Sequence, residues 1–279
     1  MSALPKPTPN GAPLPVCPGA ASAPLTISIQ DLTVRFGEVL AVDRVSLDLA
    51  EGEFVSIVGP SGCGKTTILN LLTGLVPLQD GRITMLGKAP FVGNPDVAYM
   101  LARDCLLPWR SALDNASYGM EVRGVDARER RARAADLLAR VGLKGFQDKY
   151  PKHLSQGMRQ RCALARTFCL DSPVMLMDEP FGALDAQTKL QLEDVLLELW
   201  QAHKRTVIFI THDISEAVTL SDRVIVMSAR PGRIVADTRI DIERPRHARA
   251  LQKDLHFHEL YTHIWEQLET GMANAKEEL

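Results

Sequence analysis

An α/β fold with a buried parallel sheet is predicted by three features of the sequence. Gly59-Pro60-Ser61-Gly62-Cys63-Gly64-Lys65-Thr66-Thr67 has the spacing of a phosphate-binding loop. The apolar run Phe54-Val55-Ser56-Ile57-Val58 precedes it and the helical pattern Ile68-Leu69-Asn70-Leu71-Leu72 follows it. Val174-Met175-Leu176-Met177 and Val207-Ile208-Phe209-Ile210 are continuous apolar runs, as strands buried on both faces require. Between Leu25 and Leu49 the apolar residues instead alternate with polar ones, the mark of half-buried antiparallel strands. A strand–loop–helix unit in a parallel sheet is therefore expected, with an antiparallel β region before it and a helical insertion after it.

The elements follow in order. Residues 1–24 carry seven prolines and few large apolar side chains, which predicts a disordered, Pro-rich tail. Ile27, Ile29, Leu32, Val34 and Phe36 mark a first strand region, and Leu40, Val42, Val45, Leu47 and Leu49 a second. Glu51-Gly52 turns the chain into the strand before the phosphate loop. After the first helix, Gln79-Asp80-Gly81 reads as a turn and Arg82–Leu86 as a short strand. From about 102 to 168 the pattern is helical, interrupted by the apolar cluster Leu106-Leu107-Pro108-Trp109. Asp126-Ala127-Arg128-Glu129 has the form of an N-cap with an acid at the third helical position. The helix that follows buries Ala134, Leu137, Leu138 and Val141 and leaves its arginines in solvent. A helix from Asp185 to His203 turns Leu190, Val195, Leu196 and Leu199 inward. Asp222–Met227 and Gly232–Val235 complete the sheet around a turn at Arg230-Pro231-Gly232. Beyond Arg244 the chain is polar and helical, with a rough stripe of Leu251, Leu255, Leu260, Ile264 and Leu268. His256 and His258, two apart on a helix, diverge and do not form a metal site.

Composition narrows the classes. A chain of 279 residues, 24% charged with net charge −2, fits a globular protein and gives no general case for nucleic-acid binding. No apolar run reaches the ~18 residues that a membrane span needs, and the start lacks a signal-peptide core, so a cytosolic chain is expected. Five cysteines without paired spacing predict free thiols.

The chemistry gathers at strand ends. In a phosphate loop the glycines let backbone N–H groups converge on an anion, and the helix start adds its positive dipole end. Lys65 supplies a cation for the outer phosphates and Thr66 a hydroxyl for Mg²⁺. In a parallel sheet the C-terminal strand ends share one crevice, so Asp178-Glu179 and His212 meet the loop there. Asp178 is the metal-side carboxylate, Glu179 the group that orients or deprotonates a water, and His212 the contact to a γ-phosphate. Phe36 either presents its ring to a base or closes the strand core. Cys63, beside Lys65 at a helix start, is placed where a thiol pKa falls, or else fills space under the loop.

Further motifs carry a resemblance. Leu154-Ser155-Gln156-Gly157-Met158 resembles the signature motif of ABC-type ATPases. Asp178-Glu179-Pro180 with Phe181-Gly182-Ala183-Leu184-Asp185 resembles their Walker B and D-loop, and Thr211-His212-Asp213 their switch histidine. Leu106-Leu107-Pro108-Trp109, Glu216-Ala217-Val218 and Arg230-Pro231-Gly232-Arg233 are similar to segments of the nitrate/sulfonate/taurine-type importer ATPases. The resemblance implies a P-loop NTPase core over 25–243, with a helical subdomain at about 102–168 and a helical extension at 244–279. It implies ATP and Mg²⁺ as ligands and a head-to-tail homodimer that sandwiches two ATP molecules. Gly59 to Thr67 of one subunit would face Ser155, Gln156 and Gly157 of the other, with Phe36 stacking on adenine and Asp185 crossing the interface. It also implies transmembrane permease subunits docked near Leu106–Trp109, an extracytoplasmic solute-binding protein, and a peripheral place on the cytoplasmic face of the inner membrane. Glu179, His212 and Lys65 would carry ATP hydrolysis. A non-transport ABC ATPase acting on nucleic acid or translation is the alternative, and co-purification with a permease or with RNA separates the two.

Two positions depart from the family pattern. Ala102 stands where relatives carry a glutamine that reaches the metal and the attacking water. That contact is then absent, bridged by water, or taken over by Asp104. Gln156 stands where a second glycine is usual, and a positive φ there would strain it.

Overall fold

The computed structural model describes residues 25–277, so the expected tail at 1–24 lies outside the described residues. Two sheets organise the chain. The first is antiparallel, in the order β2 (Val39–Ala50), β1 (Leu25–Phe36), β4 (Asp80–Met85). The second has six strands, in the order β5 (Val97–Met100), β6 (Val174–Asp178), β7 (Thr206–Ile210), β3 (Phe54–Val58), β8 (Arg223–Met227), β9 (Ile234–Arg239). Its first five strands run parallel, and β9 returns antiparallel to β8. β3, β6 and β7 are buried at every position, which is why their sequences are unbroken apolar runs.

α1 (Lys65–Leu72) follows β3 and packs between the two sheets with Ile68, Leu69, Leu71 and Leu72 buried. The helical region holds α2 (Ala112–Val122), α3 (Ala127–Arg140) and α4 (Gln156–Cys169), which share a core with the opposite face of the parallel sheet. Asp126 caps α3 as expected, accepting from the N–H groups of Arg128 and Glu129. α5 (Ala186–His203) and α6 (Ile214–Leu220) flank β7.

Three elements differ from expectation. Asp80 and Gly81 belong to β4 and not to a turn. Gly81 adopts φ +93°, and a Cβ there would lie 2.6 Å from the Gln30 carbonyl, so only glycine lets the strand pass β1. β5 escapes sequence reading because its four residues are too few for a periodic signal. In the C-terminal region α7 (Ala248–Leu251) and α8 (Leu255–Glu277) bury Leu251, Phe257 and Ile264, whereas Leu255 is 81% exposed. The break at residues 252–254 between α7 and α8 resets the helical phase, so the stripe drawn through Leu255 crosses two helices. Arg246 ties this region down, donating to the carbonyls of Val218, Thr219, Ser221, Ile240 and Ile242. His256 pairs with Asp241 at 2.6 Å and His258 with the Gln252 carbonyl at 3.1 Å, so the two rings do diverge.

One buried acid sets a pH dependence. Glu193 on α5 is 1% exposed, and burial, with Glu216 and Asp213 nearby, pushes its carboxyl up to about 8. The folded chain therefore holds a proton there that the unfolded chain releases at ordinary carboxylate pH. The stabilising contribution is full below about pH 4.5 and is lost progressively as pH rises to about 8. Thermal unfolding of Glu193→Gln should accordingly gain on the unsubstituted chain between pH 5 and 8, with a level difference above. A constant difference across that range would contradict this.

Candidate active site

Strand register brings the predicted groups together. Asp178 at the end of β6 is level with Ile210 of β7, and Ile210 is level with Ile57 of β3. The chain beyond β3, β6 and β7 thus emerges along one edge, where a cleft of about 580 Å³ opens. Lys65, Thr66, Asp178 and Glu179 line it, together with Phe36, Ser61, Gly62, Gly64 and Thr67.

The loop is held by close backbone packing. Gly62 and Gly64 adopt φ +79° and +100°, and a Cβ on Gly64 would come within 2.5 Å of Val42. Glycine is therefore needed at 64 for both conformation and space. Gly64 caps α1 without a side-chain acceptor, which leaves the first-turn N–H groups directed at the cleft. The buried Lys65 ammonium donates to the Gly59 carbonyl at 2.8 Å and the Pro60 carbonyl at 2.9 Å. Pro60 contributes its carbonyl alone, since proline has no N–H.

The acidic side is equally ordered. Thr66 Oγ1 donates to Asp178 Oδ2 at 2.8 Å. Burial raises the Asp178 carboxyl above the usual range and the Glu179 charge adds to this, while the Thr66 bond and Lys65 oppose it. Two hard oxygen donors thus face each other beside the loop. Mg²⁺ characteristically takes one or two protein oxygens and completes its shell with phosphate and water, so the donor set fits it. No group of three or more His, Cys, Asp or Glu side chains suited to a metal exists among the described residues, which excludes a purely protein-built cage there.

Glu179 adopts φ +45°, a left-handed conformation uncommon for a non-glycine residue. Its N–H donates to the Ile210 carbonyl at 2.9 Å, and its backbone carbonyl accepts from Gly182 at 3.2 Å. This tight turn swings the carboxylate off the strand direction into the cleft. His212 approaches it from β7, with Nδ1 3.5 Å from Glu179 Oε2. Phe36 is 50% exposed and lines the cleft, so its ring is a wall and not core packing.

Other predicted residues stand apart. Ser155 caps α4, accepting from the Met158 N–H at 3.2 Å, and Ser155 and Gln156 are exposed. Asp185 caps α5, accepting from the Thr188 N–H at 3.0 Å, and is also exposed. Neither these nor Gly157 lines the cleft of this chain. Gln156 opens α4 and is absent from the residues with positive φ, so the strain that a positive φ would impose does not arise.

At two positions the structure decides between the alternatives. Cys63 is 1% exposed, and burial raises its thiol pKa against the opposing pull of Lys65, so the loop does not activate it. Dehydration of the thiolate outweighs one nearby cation. Among the cysteines of the described residues, alkylation should mark the exposed Cys105 ahead of Cys63 and leave Cys63 slow with or without nucleotide; rapid nucleotide-sensitive labelling of Cys63 would contradict its burial. Asp104 does not replace the missing glutamine. Its carboxylate is held by Arg159 Nε at 3.0 Å, while Ala102 lines the cleft with no polar atom on its side chain. The cluster at Leu106–Trp109 divides: Leu106 joins the core and Trp109 is 71% exposed.

Arg230, which the sequence places in a turn and in a segment similar to the importer ATPases, lines the cleft and donates to the Gly62 carbonyl at 3.3 Å. Nothing local announces this, because 168 residues separate the partners. A larger groove of about 780 Å³, by Glu51, Trp200, Lys204 and Arg244, lies at the opposite, N-terminal strand ends and holds none of the predicted residues.

Comparison with known proteins agrees with this geometry. The ABC transporter family model matches residues 42–182. An uncharacterised ABC transporter ATP-binding protein of Methanocaldococcus jannaschii is 45% identical over 224 residues, covering 79% of this chain and 84% of the relative. The taurine import ATP-binding protein TauB of Rhizobium johnstonii is 47% identical over 211 residues, covering 75% and 80%. Among solved structures, a dimeric post-hydrolysis state of an ATP-binding cassette bound to ADP and Pi matches with TM-score 0.70 and 29% identity, covering 78% of this chain and all of that one. With a phosphate loop, two carboxylates and a histidine at one sheet edge, and with relatives aligned over most of its length, this chain belongs to the ABC transporter ATP-binding proteins, the ATPases of that family.

Proposed function

We propose that this chain is the ATP-hydrolysing subunit of a solute importer and works as a head-to-tail homodimer. One observation carries the dimer: Ser155, Gln156, Gly157 and Asp185 are exposed or half-exposed and lie outside the cleft that holds Lys65, Asp178 and Glu179. A second copy turned head to tail brings its α4 N-terminus, the positive end of that helix dipole, against the γ-phosphate of a bound ATP. The dimeric cassette bound to ADP and Pi supports this reading.

The residue roles follow from the geometry. Lys65 exchanges its loop carbonyls for phosphate oxygens, and the N–H groups of the loop and α1 bind the rest of the triphosphate. Phe36 stacks on the base. Thr66 and Asp178 would hold Mg²⁺, which when bound neutralises charge developing on the phosphates. Glu179 accepts the proton of the attacking water, and His212, from the adjacent strand end, contacts the γ-phosphate. Because the γ-phosphate completes contacts from both subunits, its loss weakens the closed dimer relative to the open one.

The exposed Trp109, beside the helical region, fits the docking of a membrane permease, and no helix among the described residues is long and apolar enough to cross a membrane itself. The chain would then sit peripherally on the cytoplasmic face, and an extracytoplasmic binding protein would deliver solute to the permease. The TauB relatives support a taurine-like solute, within the nitrate/sulfonate/taurine range that the resemblance implies.

Mixing two inactive variants tests the arrangement. Lys65→Ala and Ser155→Arg should each abolish hydrolysis, and the mixture should recover part of it, because a mixed dimer retains one intact shared site. No recovery would reject the head-to-tail site. Growth of a deletion strain on taurine as sulfur source tests the solute separately. At Ala102, restoring the glutamine is expected to change the ratio of permease-stimulated to basal hydrolysis; an unchanged ratio would show that the position does not tune coupling.

A further inference from the structure

Behind His212 lies a cluster of charged side chains that the roles above leave unused. Lys189 on α5 pairs with Asp213 Oδ2 at 3.0 Å and with Glu216 Oε1 at 2.7 Å. Glu216, buried on α6, accepts from Thr211 Oγ1 at 2.6 Å through its other oxygen. Thr211 Oγ1 in turn accepts from the Asp213 N–H at 3.0 Å, and Asp213 Oδ1 caps α6 through the Ser215 N–H at 2.8 Å. Both sequence neighbours of His212 are thus tied, directly or through Glu216, to one ammonium.

That ammonium belongs to the helix whose N-cap is Asp185. The Lys189 N–H donates to the Asp185 carbonyl at 2.9 Å, so the two residues stand one helical turn apart. Asp185 is exposed, while Lys189 faces inward onto the His212 loop. The cluster is also unbalanced. Glu193, one turn further along α5, is buried with Oε2 lacking any hydrogen-bond partner, and Asp194 is engaged at the Ala248 N–H. A lone cation therefore holds Asp213 and Glu216 together in a region that already carries a third buried carboxyl.

We propose that Lys189 is a positioning residue that keeps His212 in register with the first turn of α5, so that displacement of Asp185 at the subunit interface reaches His212. This rests on the head-to-tail reading above. Lys189 touches neither the phosphate loop nor the cleft lining, so its effect falls on the rate and not on nucleotide binding. A solely structural ion pair would instead lower stability without moving His212.

The test uses the full chain with its permease. For Lys189→Met, kcat is expected to fall by about tenfold to a hundredfold, the loss that a small misplacement of a reacting group produces. Binding of a fluorescent ATP analogue should stay within about twofold, since nucleotide contacts lie elsewhere. Lys189→Arg, which keeps charge and reach, should recover most of the rate. In NMR spectra of histidine-labelled protein, the His212 resonance should shift in Lys189→Met while those of His256 and His258 stay in place. Where the single variant does not fold, Lys189→Met with Glu216→Gln removes the buried charge pair together and is read in the same way. Unchanged kcat, an equal loss of nucleotide affinity, or an unmoved His212 resonance would overturn the proposal. Failure of the wild-type complex to hydrolyse ATP, or of the mixed-variant dimer to recover, would instead reject the reading on which it rests.

Discussion

Glu179→Gln is expected to slow ATP hydrolysis by about a hundredfold to ten-thousandfold, the range that a positioned general base contributes. Glutamine matches glutamate in shape, so the left-handed turn at 179, with its N–H bonded to Ile210, is retained. The lost property is proton acceptance. ATP binding should persist, because Lys65, Thr66 and the loop N–H groups are untouched, and the variant should accumulate as an ATP-bound dimer that light scattering detects. Removing a carboxylate also relieves the repulsion that Glu179 exerts on Asp178, which favours metal-side charge and makes the trapped complex more stable. A variant with near-normal turnover would remove Glu179 from the base role and leave His212, 3.5 Å away, as the next group to test.

Lys65→Met is the second large effect, and it falls on binding. The ammonium is buried under the loop, with two carbonyl partners and no carboxylate within bonding range. In the proposed role its charge-assisted bonds to phosphate would be worth about 3 kcal/mol, and their loss corresponds to a roughly hundredfold weaker ATP complex. Methionine fills most of the same volume, and Gly62 and Gly64 keep the loop backbone in place, so the melting temperature should stay close to that of the unsubstituted chain. Equilibrium binding of a fluorescent ATP analogue and thermal unfolding together check this. A large loss of stability would assign Lys65 to loop architecture, whereas unchanged affinity would dismiss it as a phosphate contact.

The two variants separate binding from chemistry because the groups lie on different elements. Lys65 and Thr66 begin α1, Asp178 ends β6, and Glu179 and His212 follow strand ends in loops. Lys65 and Thr66 are legible from the spacing of the phosphate loop, and Asp178, Glu179 and His212 as polar residues ending apolar runs, since a charge at a buried strand end requires a compensating ligand or partner. The helix cap at Asp126 is legible on equally local chemistry, because its partners lie within a few residues.

Other features depended on partners far along the chain. At Cys63 the sequence leaves an activated thiol and a space-filler both open, and packing of the loop against β8 and the Gly232 turn excludes water and raises the thiol pKa. Asp104 was a candidate replacement for the missing glutamine until α4 placed Arg159 beside it. Arg230 reaches the loop, and Lys189 reaches Asp213 and Glu216, only when the strands have aligned. By itself the sequence determined the strand–loop–helix unit, the buried parallel strands and the charged groups at their ends, because hydrophobic burial and backbone geometry act locally. The tertiary structure alone decided which of those groups share a cleft, which thiol is hidden, and which lysine pairs with Asp213 and Glu216. Solvent exclusion and ion pairing depend on every element that packs around a group, and those elements are distant in the chain.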